Sequence, residues 1–118
     1  IKLELDRSET LYTIWKTAYL IEHKLIDEEI IKFLAKIALN HPHPQKPLNE
    51  NDPAMDSLNS VRGAAIHKIM RCYEYNEFSE LIFDTVEKAT NDSQISVKVA
   101  ILQELAFLIT DTLKQAKG

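Results

Sequence analysis

The sequence predicts an all-α fold of about five helices, and three observations carry that prediction. Glycine occurs only twice in 118 residues, and the apolar residues are mainly Leu, Ile and Ala, a mixture that favours helix over strand. Those apolar residues recur at three- and four-residue steps, the period of a helix with one buried face. A segment near the middle of the chain is also echoed 36 residues later in the same helical setting. With 45% hydrophobic and 27% charged residues, the composition is that of a globular domain with a single core.

The first helix is expected over 8–23 and carries Tyr12, Trp15 and Tyr19. The second, over 27–39, opens at Asp27, whose side chain suits an N-cap, with Glu28 and Glu29 in the first turn where negative charge complements the helix dipole. Its apolar stripe is Ile30, Ile31, Leu34, Ile37 and Ala38. A proline-rich loop follows over 40–55, holding Pro42, Pro44, Pro47 and Pro53, because proline removes backbone donors and disfavours helix in the residue before it. A third helix is expected over 57–74. In the fourth, over 77–90, Phe78, Leu81, Ile82, Thr85, Val86 and Ala89 take one face, and Glu80, Asp84, Glu87 and Lys88 the other. The fifth, over 94–115, has so little polar surface in its middle that it is expected to lie sandwiched between neighbours.

The internal repeat sets Asp56-Ser57-Leu58-Asn59-Ser60-Val61-Arg62 against Asp92-Ser93-Gln94-Ile95-Ser96-Val97-Lys98. Asp, two Ser and Val are identical and the terminal positive charge is kept. Ala64, Ile66 and Ile69 then fall opposite Ala100, Leu102 and Leu105. A fainter third copy opens the chain at Asp6, Thr10, Leu11 and Tyr12, displaced by 50 residues from the middle one. The proline-rich loop is about the size of the 14-residue excess.

An acidic turn residue followed six residues later by Val-Arg at the start of a helix, and then by small and aliphatic residues, resembles the HEAT repeat and its armadillo-like relatives. The resemblance implies an α-α superhelix of stacked helical hairpins, each burying its apolar face against the next. It also implies a structural ladder in which the turn Asp and the helix Arg bond to backbone and to neighbours along the stack. The matching residues are Asp56, Val61 and Arg62 in one copy and Asp92, Val97 and Lys98 in the next. The 36-residue period is shorter than the roughly 40–47 residues usual for these repeats, and Lys98 replaces the bidentate arginine. The wording from Ser60 to Ala65 is also similar to helical-repeat regions of large bacterial NTPases. The whole chain, 1–118, is therefore read as a single HEAT-like domain and a fragment of a larger protein.

The net charge of −4, with basic residues scattered, argues against a nucleic-acid partner. One cysteine, Cys72, allows no internal disulfide, and no run of about 18 apolar residues exists to span a membrane, so a cytoplasmic setting is expected. No basic-then-apolar leader opens the chain. Gly63 and Gly118 sit in no phosphate-binding loop. His41 and His43 lack a second ligand pair, and Cys72 and His67 stand five residues apart on one helix, so neither a metal site nor a thiol–histidine pair is expected. Glu28 with Glu29, and Asp84 with Glu87, read as surface charges. No catalytic set and no cofactor are expected.

The function implied is a non-catalytic interaction or scaffold module that holds a protein partner or adjacent domains of its own polypeptide. Arg62, Lys68 and Arg71 are the candidates for partner contact. Tyr12, Trp15, Tyr19, Tyr73 and Tyr75 are the available aromatic anchors, though core or end-capping contact is the first expectation for them. A nucleic-acid-binding HEAT-like domain is the alternative, to be revived by clustering of Arg62, Lys68, Arg71 and Lys98 on one face. An all-helical enzyme would need His23, His67 or acidic residues to converge on a pocket.

Overall fold

A computed structural model describes residues 7–46 and 51–117, with every element helical. In chain order these are α1 (Arg7–Glu22), α2 (Glu28–Asn40), α3 (Pro53–Asn59), α4 (Val61–Met70), a 3-10 turn (Asn76–Phe78), α5 (Ser79–Ala89) and α6 (Ile95–Lys117). Among the described residues, six α-helices therefore stand where five were expected. The difference lies between residues 53 and 74.

The expected helix over 57–74 is two helices meeting at Ser60. Ser60 is extended (φ −88°, ψ 144°), ending α3 and starting α4, and its Oγ accepts from the Gly63 amide at 3.1 Å. The side chain thus satisfies one of the amides a helix start leaves unpaired. Pro53 belongs to α3 and not to the loop. It stands in the first turn, where its missing N–H costs nothing, and Asp52 caps the helix by accepting from the Met55 amide at 3.0 Å. The sharp α3–α4 bend brings the two backbones so close that a Cβ on Gly63 would lie 2.4 Å from the Ser57 carbonyl oxygen and from Ser60 Oγ. Only glycine fits there. After Met70 the chain leaves α4 through successive tight turns, Cys72 to Ile69, Tyr73 to Met70 and Tyr75 to Cys72.

Asp27 caps α2 as expected, accepting from the Ile30 amide at 3.0 Å. The α1–α2 connection closes with Leu25 N–H on the Leu20 carbonyl at 2.8 Å, a helix end that places Lys24 in the left-handed region at φ 57°.

The short helix α4 is the centre of the molecule. It packs against α1, α2 and α6, and more lightly against α5; α2 also packs against α5, and α3 against α6. Eight of its ten residues are buried, including Val61, Ala64, Ile66 and Ile69. The core around it is completed by Ile14, Ile31, Leu34, Ile37, Ala38, Val97, Ala100 and Ile101. The expectation that the last helix is the enclosed one is corrected here. α6 buries Val97, Ala100, Ile101 and Glu104, but Ile95, Leu102, Leu105, Ile109 and Leu113 on its other side are exposed. Burial of both faces needs neighbours on both sides, and only α4 has them among the described residues.

The part of the loop over 41–46 is fixed against α4. Pro44 is fully buried and His41 nearly so. Among the described residues, no helix is long and apolar enough to cross a membrane.

Candidate functional site

A groove of about 280 Å³ runs along α4 between α1 and α6. Trp15 and Glu22 of α1 stand on one side, Leu58 of α3 closes part of it, and Lys68 and Arg71 come from α4. His67 and Glu104 lie in its floor.

The floor is a chain of polar side chains inside apolar surroundings. His67 Nδ1 and Glu104 Oε2 are 2.7 Å apart, and His67 Nε2 is 3.1 Å from Ser57 Oγ. Ser57 Oγ also stands 2.8 Å from Gln103 Oε1 and 2.7 Å from the Ala54 carbonyl oxygen, either of which can accept its hydrogen. The other Glu104 oxygen meets Arg71 Nε at 2.6 Å as an ion pair. Burial alone would raise the Glu104 pKa, but the hydrogen bond from His67 and the Arg71 charge outweigh it and hold the carboxyl below its ordinary range. Glu104 therefore carries a full charge in the core at neutral pH, with both oxygens engaged.

Ser57, His67 and Glu104 have the connectivity of a nucleophile, base and orienting acid. The geometry lacks what such a set needs, because Ser57 is fully buried inside α3 and no reacting carbon could approach its oxygen. The arrangement ties α3, α4 and α6 together.

The cations above this floor are held by aromatic rings. Lys68 Nζ sits 4.6 Å from the centroid of Trp15, and the Arg71 guanidinium 3.7 Å from that of Phe107. Burial first, and then the Arg71 charge, lower the Lys68 pKa from its ordinary value. On the outer side of α1, Tyr12 and Tyr19 are exposed, and Trp15 is the one of the three that reaches the groove.

The expected ladder residues fall in two places. Arg62 donates from Nε to Asp92 Oδ2 at 2.8 Å and from Nη2 to Asp92 Oδ1 at 3.1 Å, and its Nη1 reaches the His41 carbonyl at 2.8 Å. The pair joins one copy of the repeat to the next, and Asp92 Oδ1 also accepts from the Gln94 amide at 2.8 Å. Asp56 is not a turn residue. It lies inside α3 and is buried, because the helix begins at Pro53. Val61 and Val97 are both fully buried, whereas Lys98 is exposed. Asp6 of the faint third copy lies outside the described residues; of its other members, Thr10 is buried and Tyr12 exposed.

Arg62, Lys68 and Arg71 do not form one patch. Arg62 is committed to Asp92 at the start of α4, while Lys68 and Arg71 share the groove. The loop histidines serve the same helix start: His43 Nδ1 accepts from the Val61 amide at 3.1 Å, and its carbonyl from the Arg62 amide at 3.1 Å. Burial, and then the charge of Arg7, push the His43 pKa down to about 4. Cys72 is buried, its thiol pushed up to about 12 by burial and bonded to the Lys68 carbonyl at 3.4 Å. Among the described residues, no three of His, Cys, Asp and Glu are grouped to hold a metal ion.

Sequence reasoning missed Ser57 as a bonding partner, and Gln103 and Glu104 altogether. Glu104 left a signal: it continues the buried stripe of Val97, Ala100 and Ile101, and a lone acid on such a stripe requires a buried partner. Comparison with protein-family models, with curated proteins and with solved structures gives no match to this chain.

Proposed function

We propose that this chain is a non-catalytic interaction module, a HEAT-like segment of a larger cytoplasmic protein whose last helix is completed by a neighbour. The observation that carries the reading is the row Ile95, Leu102, Leu105, Ile109 and Leu113 along α6, apolar, exposed and on the side away from α4. A contiguous row of this kind marks a contact surface more often than bare solvent-facing helix. Two further features support it. Helices α1, α4 and α6 pack in sequence while α2 packs on α5, the order expected of stacked hairpins. The Arg62–Asp92 pair also links successive copies as a ladder would. The neighbour is an adjacent domain of the same polypeptide or a separate protein, and the parent protein on this reading is a bacterial NTPase that uses the segment for sensing or regulation.

Nucleic-acid binding is the weaker reading, since Arg62 is consumed by Asp92 and the groove cations stand beside Glu22 and Glu104. The enzyme reading lacks an accessible nucleophile, as Ser57 is enclosed.

The test is site-specific photo-crosslinking of the full-length protein in its own host. A crosslinker at position 102 or 109 is expected to give the same discrete product, and one at position 87 on the exposed side of α5 is expected to give none. Absence of a discrete product from both α6 positions would overturn the reading.

A further inference from the structure

Helix α6 carries two faces spaced by seven residues, one turned inward and one turned outward. Val97 is fully buried, Glu104 is buried against His67 and Arg71, and Asp111 accepts from the Tyr73 hydroxyl, so these three face the body of the molecule. On the opposite side Ile95, Val99, Leu102, Ala106, Ile109 and Leu113 recur at alternating steps of four and three. That spacing makes a heptad seam, unbroken by a polar residue over about 28 Å of helix. Ile95, Leu102, Ile109 and Leu113 are between 58% and 64% exposed, and among the described residues nothing covers them. The inward residues fix the rotation of α6, so the seam points directly away from the body.

A seam of this spacing takes another helix, whose side chains enter the gaps between its own. It matches itself when a second copy runs antiparallel. Ile95 then meets the partner's Leu113, Val99 the partner's Ile109, and Leu102 the partner's Ala106, so a small residue faces a large one at the centre and each pair occurs twice by symmetry. A parallel copy would set Ala106 on the partner's Ala106 and leave that layer underfilled. Leu105, 43% exposed beside the seam, meets the partner's Leu105 across the two-fold axis only in the antiparallel arrangement. The flanks permit the match. Lys98 falls opposite the partner's Thr112 and Gln103 opposite the partner's Gln103, while Glu104 and Asp111 are turned to the body, so no like charges are opposed.

We propose that α6 pairs with α6 of a second copy of this chain, antiparallel about a two-fold axis level with Glu104. A helix face about 28 Å long and about 10 Å across presents on the order of 500 Å² per copy, so the pair buries about 1,000 Å² in all, the lower bound for a specific interface. An interface of that size suits a weak, concentration-dependent dimer with a Kd on the order of 10 micromolar. The face is then bare in dilute solution and covered in concentrated solution. This pairing rests on the interaction-module reading and names the neighbour that completes α6.

Sedimentation equilibrium of the 118-residue chain is expected to give the mass of one chain at about 1 micromolar and of two at about 100 micromolar. Leu102→Glu should weaken the dimer at least about a hundredfold, since each dimer loses two buried leucines, and Ala106→Glu should weaken it likewise. Phe83→Glu, at a comparably exposed apolar position on α5, should leave it unchanged. Equal melting temperatures at about 1 micromolar show that the monomer fold is intact in each variant. Spin labels on Lys114→Cys should lie at least about 30 Å apart in the dimer, because residue 114 then stands opposite the partner's Gln94, roughly 20 positions along the helix. Cys72 is buried and takes no label. A chain still monomeric at the higher concentration, a dimer indifferent to both seam variants or equally weakened by Phe83→Glu, or a label separation too short for antiparallel helices would each overturn the proposal. If the chain is monomeric while crosslinkers at 102 and 109 capture a different protein, only this pairing falls; loss of the crosslinks as well removes the interaction reading itself.

Discussion

Helices α4 and α6 begin with related sequence and end in opposite environments. Val61 and Val97 are both fully buried, as are Ala64 and Ala100. Past that point the likeness stops: Ile66 and Ile69 are fully enclosed, while their counterparts Leu102 and Leu105 are 64% and 43% exposed. The two starts differ as well. Ser60 caps α4, whereas Ser96, its counterpart, is buried in the first turn of α6 and its hydroxyl makes no hydrogen bond among the described residues. A repeated pattern therefore reproduces a helix and its first buried face, but the second face depends on whether another helix arrives. For α4 both α1 and α2 do, and for α6 the corresponding flank is bare among the described residues.

The comparison is sharpest in the energetics of matched substitutions. Ile66→Ala should cost about 2–5 kcal/mol of stability, the range for emptying a filled core site, and Leu102→Ala should stay within about 0.5 kcal/mol. Urea denaturation of the two variants measures both, and equal losses would mean that α6 is enclosed in solution. Gly63 and Val99 form a second matched pair. Gly63→Val forces its side chain into the Ser57 carbonyl and should cost about 3 kcal/mol or more, while Val99→Gly, with no helix bent against it, should cost about 1 kcal/mol, part from helix propensity and part from the packing its half-buried side chain gives up.

Glu104 is where the two helices depend on each other. Its folded pKa lies below the ordinary value of 4.5, so the folded state binds fewer protons than the unfolded chain in that range. Its contribution is complete above about pH 4.5 and is lost as the pH falls through the depressed value. Glu104→Gln should lower stability at neutral pH by about 1–3 kcal/mol, because the amide's single oxygen can face only one of His67 and Arg71 and carries no charge for the guanidinium, and should flatten the acid limb of the stability curve. Denaturation midpoints between pH 3 and pH 7 check this. His43 gives a smaller effect confined to the start of α4. Its pKa falls from 6.5 to about 4 on folding, so its contribution is complete above 6.5 and declines as the pH drops from there towards 4. His43→Asn, which keeps a side-chain acceptor near the Val61 amide, should remove that slope with little change at pH 7.

Much of the helical layout was legible in the residues because its causes are local. Asp27 before two acids, an apolar stripe at helical spacing in α2, and one-faced spacing in α5 each act through neighbours three or four positions away. The split at Ser60 was harder to see. Pro53 read as loop, though proline is well suited to a helix's first turn, and the Asp52 cap that makes it so lies among loop-like residues. The groove was half legible: Lys68 and Arg71 were identifiable as neighbouring cations, but nothing local brings Trp15 from α1 or Glu104 from α6 beside them. The turn position expected for Asp56 was not legible either, because the short helix α3 that begins at Pro53 takes Asp56 into its interior, whereas Arg62 pairs with Asp92 of the next copy.

By itself, then, the sequence determined an all-helical chain, the faces that bury first, and the repeated start of α4 and α6, since these follow from backbone periodicity and side-chain chemistry within one or two turns. Only the tertiary structure decided that α4 is enclosed while α6 keeps an open apolar side, and that Ser57, His67 and Glu104 meet. Those outcomes depend on contacts between residues far apart along the chain, 37 positions between His67 and Glu104 and 46 between Ser57 and Gln103, and no local pattern encodes which distant helix will supply the other half of a buried pair.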